Sequence, residues 1–181
     1  MFCDHKEFSN HEMVIACRDE AAGLSALIAI HSTTAGPAMG GCRISAYQTE
    51  DEAITDVLRL SRGMTYKNVM AGLPFGGGKA VIVADPHTEK TPQLLRAFAT
   101  RVDRLGGTFI TGEDIGTTVT DIETMRAVTP HVRGIPENGP GDPAQRVDDP
   151  SYRRAQIRRF LVGQIAAEQR GDDDLQRESG H

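Results

Sequence analysis

Short apolar segments with the pattern of β-strands alternate with segments of helical periodicity along the first two thirds of the chain, and this alternation constrains the fold more than any other feature. Residues 12–17 and 24–31 are rich in Val, Ile, Leu and Ala and are predicted to form two strands. His31, at the end of the second, is interpreted as a hydrogen-bonded structural histidine. Residues 80–84 and 108–111 are predicted strands as well. Strands that alternate with helices indicate an α/β domain.

Three helices are predicted between and after these strands. The first begins at Thr49 or at the residue after it and runs toward Ala71, because apolar residues recur there at helical spacing. The second begins at the pair Thr91-Pro92, since threonine is a favoured N-cap and proline is favoured in the first turn. The third covers residues 117–128.

The character of the chain changes after Gly134. Residues 1–134 are predicted to form one α/β domain, 135–144 a linker rich in proline and glycine, and 145–181 an atypical tail with one amphipathic helix followed by disorder. The tail has seven arginines and no lysine. We interpret the abrupt change as a frameshift or a truncated gene copy, a hypothesis that translation of the other reading frames would test.

The overall charge argues against an extended surface for nucleic acid or for anionic membranes. The chain has 20 Lys and Arg against 25 Asp and Glu, a formal net charge of −5, and 5% aromatic residues. Its start, MFCDHKEFSN, lacks the basic and apolar segments of a secretory signal, and its three cysteines have no CxxC spacing. We therefore expect a cytoplasmic protein with reduced thiols and no metal site.

The run GGGK at 76–79 precedes the pattern of a buried strand. A lysine between a glycine-rich loop and a buried strand is poorly placed for solubility, so Lys79 is a candidate for binding a carboxylate or for acting as a base when desolvated. The segment does not match a phosphate-binding P-loop. Leu73 stands where that motif has its first glycine, and Ala80 stands where it has Ser or Thr.

Two further segments have residues suited to ligand binding. Residues 36–41, GPAMGG, follow a predicted strand, and Gly40 and Gly41 would let backbone N–H groups approach an anion, although an ordinary turn has the same composition. Residues 112–118, GEDIGTT, place Asp114 after another strand, where ligand sites of α/β proteins tend to lie. The alternative role for a carboxylate at this place is the N-cap of the following helix.

Four segments in this order resemble the Glu/Leu/Phe/Val amino-acid dehydrogenase family: IHSTTAGPAMGGCR, DVLRLSRGMTYKN, AGLPFGGGKAVI and TFITGEDIGTT. The resemblance covers roughly residues 12–144, and the combination of MTYK with GGGK is highly specific. It implies that residues 1–134 form a mixed-sheet α/β substrate and catalytic domain that also serves in dimerisation. It also makes Lys67, which by itself fits a solvated helix face, a candidate site residue.

The family catalyses the reversible NAD(P)-linked oxidative deamination of an L-amino acid to a 2-oxo acid and ammonia. The resemblance implies that Lys67 holds the substrate α-carboxylate, with help from the backbone of Gly40 and Gly41. Lys79 would be the general base that activates water, and the charge of Lys67 would favour the loss of its proton. Asp114 would move protons to and from the amino group.

By the same resemblance, Met39 and Met64 are expected to line the pocket for the substrate side chain. Glutamate-specific relatives carry a lysine at the position of Met39. An uncharged methionine there predicts an apolar amino acid, with leucine or valine expected first and phenylalanine second.

The part of the family that binds the nicotinamide cofactor, NAD or NADP, is expected to be missing from this chain. No G-x-G-x-x-G occurs in the sequence, and the resemblance stops near Ala144, so a Rossmann domain is predicted to be absent. We therefore assign no cofactor-binding residues and expect no turnover from this chain alone, because hydride transfer needs the nicotinamide held against the substrate carbon.

Two other interpretations stay open. Family members are homo-oligomers, so a chain with this domain alone could associate with further copies or with full-length subunits as a non-catalytic module. It could also bind an amino acid or 2-oxo acid without redox chemistry. The expected partners are these small molecules and related subunits, and neither nucleic acid nor a membrane.

Overall fold

The computed structural model describes residues 2–134, which form one mixed sheet with helices on both faces. The predicted linker (135–144) and tail (145–181) lie outside the described residues. After a short 3-10 turn at Phe2–Asp4, the elements are β1 (Met13–Asp19), β2 (Leu24–Ser32), β3 (Ala38–Met39), β4 (Cys42–Ser45), α1 (Glu50–Met70), β5 (Gly76–Val83), α2 (Pro92–Asp103), β6 (Phe109–Ile110) and α3 (Val119–Arg126). The predicted α/β class is confirmed.

The sheet has the strand order β1-β2-β5-β3-β6, with β4 also paired to β5. Strand β2 is antiparallel to both of its neighbours, β1 and β5, whereas β3 and β4 run parallel to β5 and β3 runs parallel to β6. The two short strands pair with successive stretches of β5, Ala38 opposite Gly76 and Cys42 opposite Ala80. Gly40 and Gly41 therefore lie between two strand pairings, beside the middle of β5.

Side chains of β5 alternate between two hydrophobic cores. Ala80 and Ile82 belong to the core beneath α2 and α3, while Val81 packs with Val57 and Leu58 of α1. Lys79, one residue before Ala80, is therefore on the α1 side of the sheet.

The expectation that Gly76–Gly78 form a loop is wrong, because these glycines are the first three residues of β5 and are buried. The reason is the close packing of α1 on the strand. A Cβ at Gly77 would collide with Thr65 and would come 2.6 Å from the carbonyl oxygen of Ser61. Glycine is otherwise depleted in strands, which is why the composition suggested a loop.

The predicted starts of the first two helices are confirmed. Thr49, Thr91 and Thr118 are the N-caps of the three helices, and each side chain accepts a hydrogen bond from the backbone N–H three residues later. The third helix, α3, is shorter than the predicted 117–128. None of the helices within residues 2–134 is long and apolar enough to span a membrane.

Candidate active site

The centre of the candidate site is an ion pair between Lys79 and Asp114. The ammonium nitrogen of Lys79 lies 2.5 Å from Oδ2 of Asp114, and the two side chains are 7% and 19% exposed. Strand β5 supplies the lysine, and the loop after β6 supplies the aspartate. Lys79 and Asp114, two candidates from separate segments of the sequence, are thus brought together from positions 35 residues apart, where β3 and β6 end and β4 begins.

Arg43, which the sequence analysis did not single out, extends this pair. Its Nε donates to the same Oδ2 of Asp114 at 3.3 Å, and its Nη1 donates to Oδ2 of Asp56 at 2.8 Å. The hydroxyl of Tyr47 also donates to Oδ2 of Asp56, at 2.7 Å. The result is a chain of alternating charges that links β5, the Asp114 loop, β4 and α1.

The loop that carries Asp114 is fixed by Thr117. The threonine hydroxyl accepts from the backbone N–H of Asp114 at 2.8 Å and lies within donating distance of the carbonyls of Asp114 and Cys42. The N-cap of α3 is Thr118, in a capping box with Asp121. The alternative that Asp114 caps this helix is therefore wrong, and its carboxylate is free to face Lys79.

Opposing effects act on the ionisation of Asp114. Burial raises the pKa of its carboxyl group, but the hydrogen bonds from Lys79 and from the backbone of Ile115, with the charges of Lys79 and Arg43, outweigh burial and hold the pKa below its usual value. The carboxylate is therefore ionised at neutral pH and needs its two cationic neighbours in this partly buried place.

The backbone at Gly40 and Gly41 borders this pair, and the two residues differ in what they can bind. The N–H of Gly40 already donates to the carbonyl oxygen of Ile110 at 3.2 Å. Within residues 2–134, the N–H of Gly41 makes no hydrogen bond. Both glycines were expected to donate backbone hydrogen bonds to the substrate. Of the two, Gly41 alone has a backbone N–H that is still available.

One flank of α1 faces the same edge of the sheet. Asp56, which bonds to Arg43, lies about three helical turns before Lys67, so both side chains leave the helix in nearly the same direction. Met64 lies between them, and a Cβ built at Gly40 would come 3.2 Å from its Cγ. Lys67 is exposed, and its ammonium forms no hydrogen bond or ion pair with the residues that the structure describes.

Asn68 fixes this end of α1 against the sheet. Its side-chain amide donates to the carbonyl oxygens of Gly76, at 2.6 Å, and of Met39, at 3.3 Å. Asn68 therefore fixes the backbone of Met39 relative to the end of α1, where Lys67 is the preceding residue. The sequence did not indicate this contact, because the burial of Asn68 is visible only in the structure.

His31 lies on the α1 side but bonds to Thr65, with its Nδ1 2.8 Å from the hydroxyl oxygen. Its ring packs edge-on against His11, with centroids 4.9 Å apart. Both contacts agree with the structural role predicted for this histidine. No group of His, Cys, Asp or Glu within residues 2–134 is arranged to hold a metal ion.

The described residues do not fit a dinucleotide cofactor. The one long glycine run, at 76–78, is covered by α1, and a Cβ at Gly77 would collide with Thr65, so no pyrophosphate can approach its backbone. A dinucleotide fingerprint needs a glycine turn that opens onto a helix N-terminus. This chain has no G-x-G-x-x-G.

Comparison with known proteins agrees with the geometry of the site. Residues 5–131 match the Glu/Leu/Phe/Val dehydrogenase dimerisation domain. The chain is 54% identical over 138 residues to a phenylalanine dehydrogenase of Caldalkalibacillus thermarum (strain TA2.A1), and 50% identical over 131 residues to a leucine dehydrogenase of Bacillus subtilis (strain 168). These alignments cover 75% and 72% of this chain but 37% and 36% of the relatives.

A solved structure shows the same relationship. The crystal structure of L-tryptophan dehydrogenase from Nostoc punctiforme matches with a TM-score of 0.66 and 51% sequence identity, covering 68% of this chain and 37% of that chain. This chain therefore spans little more than a third of the length of the relatives that it matches. With two thirds of its own length matched at about half identity, the chain belongs to the Glu/Leu/Phe/Val dehydrogenase family.

Proposed function

We propose that residues 2–134 provide the substrate-binding and proton-transfer part of an NAD(P)-dependent amino-acid dehydrogenase that acts on an apolar L-amino acid. The observation that carries this proposal is the largely buried ion pair of Lys79 and Asp114, which the backbone of Gly41 borders. A general base, a general acid and donors for a carboxylate are the groups that amino-acid deamination needs.

The substrate α-carboxylate would bind between Lys67 and the backbone of Gly41. Both carry N–H donors that make no hydrogen bond within the described residues, and an ammonium with a backbone N–H is a suitable pair for a carboxylate. The neighbouring Met64 and Met39 would then contact the substrate side chain.

Lys79 and Asp114 would divide the proton transfers. Before the reaction, Lys79 loses its proton to solvent, and Asp114 takes one proton from the substrate ammonium. After a hydride leaves the Cα of the neutral amine, water attacks the resulting iminium carbon and gives a proton to the neutral amine of Lys79. Asp114 returns its proton to the nitrogen, which leaves as ammonia while the hydroxyl proton of the intermediate passes to solvent. Lys79 then has a proton and Asp114 has none, so the resting ion pair is restored. The described residues do not hold the hydride acceptor, so this part of the reaction depends on residues outside them.

The uncharged side chains of Met39 and Met64 support an apolar substrate. The relatives named above act on phenylalanine, leucine and tryptophan by their names, at 50–54% identity, so overall identity does not choose among these substrates. We place leucine or valine first because two flexible methionines suit a branched aliphatic side chain. The cysteines Cys3, Cys17 and Cys42 are unpaired, which supports a cytoplasmic location.

The proposal is tested by calorimetric titration of the full chain with 4-methyl-2-oxopentanoate, the 2-oxo acid of leucine, and with 2-oxoglutarate. Binding of the first and not of the second is expected. Lys67→Ala should abolish binding, whereas Arg59→Ala removes an exposed cation two turns earlier on the same helix and should leave it unchanged. Preference for 2-oxoglutarate, or equal binding to the two variants, would contradict the proposal.

A second candidate function is a non-catalytic assembly module. Strand β1 is at the edge of the sheet and pairs on one side with β2, with no other described strand on its far side, so Met13–Asp19 offer backbone groups to another chain. The match to a dimerisation domain favours this role as well. Light scattering after size-exclusion chromatography, with and without a full-length relative, separates the two: a mixed oligomer without any binding of 2-oxo acid supports the module.

A further inference from the structure

We infer that Arg43, held in place by Asp56, is a positioning residue of this site. It fixes the carboxylate of Asp114 against Lys79, and it remains beside that carboxylate as a permanent cation when Lys79 has no proton. The geometric part of this inference stands by itself, while the role during proton transfer rests on the proposed function.

The guanidinium of Arg43 bonds in two directions at once. Its Nε reaches Asp114 at 3.3 Å, and its Nη1 reaches Asp56 at 2.8 Å. Because the guanidinium is planar and its N–H groups point along fixed directions, the bond to Asp56 determines where Nε points. Tyr47 donates to the same oxygen of Asp56 at 2.7 Å, so the anchor itself is held from two sides. A lysine at position 43 could satisfy one of these carboxylates but not both.

The charges along this chain balance. Lys79 and Arg43 are cations, Asp114 and Asp56 are anions, and the side chains of Arg43 and Asp114 are 20% and 19% exposed. Both cations contact the same oxygen of Asp114, Oδ2. Partial burial strengthens such contacts and makes a lone carboxylate unfavourable. Loss of a proton from Lys79 would leave Asp114 without a charged partner if Arg43 were absent.

The other titratable groups near Asp114 do not replace Arg43. Lys79 of β5 is one of these groups. Another is the thiol of Cys42 on β4, which is fully buried and whose pKa is raised by that burial. Asp121 of α3 is an anion and is already paired with Lys90 at 2.7 Å. Among the residues that the structure describes, Arg43 is thus the second cation in contact with this carboxylate.

The test measures the titration of Asp114 directly, by NMR of the aspartate side-chain carboxyl carbons in the full chain, with the Asp114→Asn spectrum used to assign the signal. Arg43→Gln is expected to make Asp114 bind its proton about tenfold more tightly, because a neighbouring arginine favours the ionised carboxylate. Asp56→Asn should shift the titration in the same direction but less, since it leaves the cation and removes its anchor. Arg43→Lys should restore part of the wild-type behaviour.

The matched control is Arg101→Gln. Arg101 pairs with Asp19 at the same distance of 3.3 Å on the other side of the sheet, and its loss should not move the Asp114 titration. If Arg43→Gln does not fold, Asp56→Asn and Arg43→Lys give the same comparison. An unchanged titration of Asp114 in the folded variants would overturn the inference, since that result is expected if Arg43 only stabilises the fold.

Failure of the proposed function is distinguishable from failure of this inference. The carboxyl titration needs no substrate, and binding of 4-methyl-2-oxopentanoate to the wild-type chain is measured separately. A wild-type chain that binds no 2-oxo acid would contradict the proposed function while the titration still decides the role of Arg43.

Discussion

Gly41 and Asp114 touch across the candidate site: a Cβ built at position 41 would come 2.8 Å from the Cβ of Asp114 and 2.5 Å from the carbonyl oxygen of Glu113. Real side chains do not approach so closely, so only glycine allows the Asp114 loop to lie where it does. The same glycine has the N–H that makes no hydrogen bond within residues 2–134. The absence of a side chain at Gly41 therefore allows Asp114 to lie close to this residue and leaves the N–H of Gly41 accessible.

Gly41→Ala is expected to push the Asp114 loop away from Lys79 and to weaken binding of 4-methyl-2-oxopentanoate at least about tenfold, a loss of about 1.4 kcal/mol. Isothermal titration calorimetry measures this loss. The control is Gly63→Ala, because Gly63 is on α1 and a Cβ there meets no atom within 4 Å. Equal affinity of the wild-type chain and Gly41→Ala would show that the contact does not position the site.

Gly77→Ala is expected to destabilise the fold by about 1–3 kcal/mol, because the new methyl group would force α1 away from β5. Gly63→Ala on the same helix should instead stabilise it by about 0.5–1 kcal/mol, since alanine favours the helix and has room. Urea unfolding followed by circular dichroism measures both free energies. Two changes of the same sign would contradict the packing described for α1.

The sequence predicts those parts of the fold that have local signals. The helix starts at Thr49 and Thr91 follow from N-cap chemistry, and β2 follows from its composition. The strands β3 and β4 have two and four residues and lack a periodicity that a pattern could detect. The glycines of β5 were placed in a loop because their reason for being glycine is the approach of a helix from elsewhere in the chain.

The residues of the candidate site likewise fall into those that the sequence indicated and those that it did not. Lys79 and Asp114 were predictable because each stands next to a strand in a distinctive segment, and the structure shows that they meet. Arg43 and Asp56 were not, since an arginine in a short strand and an aspartate on a helix are ordinary surface residues in a sequence. Their importance comes from a pairing across two elements, which no local pattern contains.

The paired histidines His11 and His31 should make stability depend on pH. Burial is the main cause that lowers the pKa of each ring from its ordinary value of 6.5; the charge of Arg62 lowers both further, while a backbone hydrogen bond to each, and Glu12 beside His31, raise them less. The folded state thus binds these protons less readily than the unfolded state. The stabilisation is complete above 6.5 and is lost as the pH falls toward the lowered folded values.

The measurement is urea unfolding of the wild-type chain and of His31→Gln between roughly pH 8 and pH 5, the range in which histidine titrates. The free energy of unfolding of the wild-type chain should fall with decreasing pH, and the slope should be smaller in the variant. His87→Gln, at an exposed position, should keep the wild-type slope. Parallel curves for the wild-type chain and His31→Gln would show that His31 does not contribute to the dependence.

Met39 offers a test of substrate choice that leaves the Lys79–Asp114 pair in place. Its backbone is held by Asn68 at 3.3 Å, and its side chain is partly exposed on the edge that Met64 borders, so a longer cation can be accommodated there. Met39→Lys is expected to create binding of 2-oxoglutarate, whose second carboxylate would meet the new ammonium, and to weaken binding of 4-methyl-2-oxopentanoate.

Competition calorimetry with the two acids measures the exchange, and Met39→Leu is the control, because it keeps an apolar side chain of similar size and should keep the preference for 4-methyl-2-oxopentanoate. High salt should weaken 2-oxoglutarate binding by Met39→Lys more than it weakens binding of the monocarboxylate, since one more charge pair is involved. If Met39→Lys gains no affinity for 2-oxoglutarate while it still binds monocarboxylic 2-oxo acids, residue 39 does not face the substrate side chain, and the pocket is bounded by Met64 and residues outside 2–134.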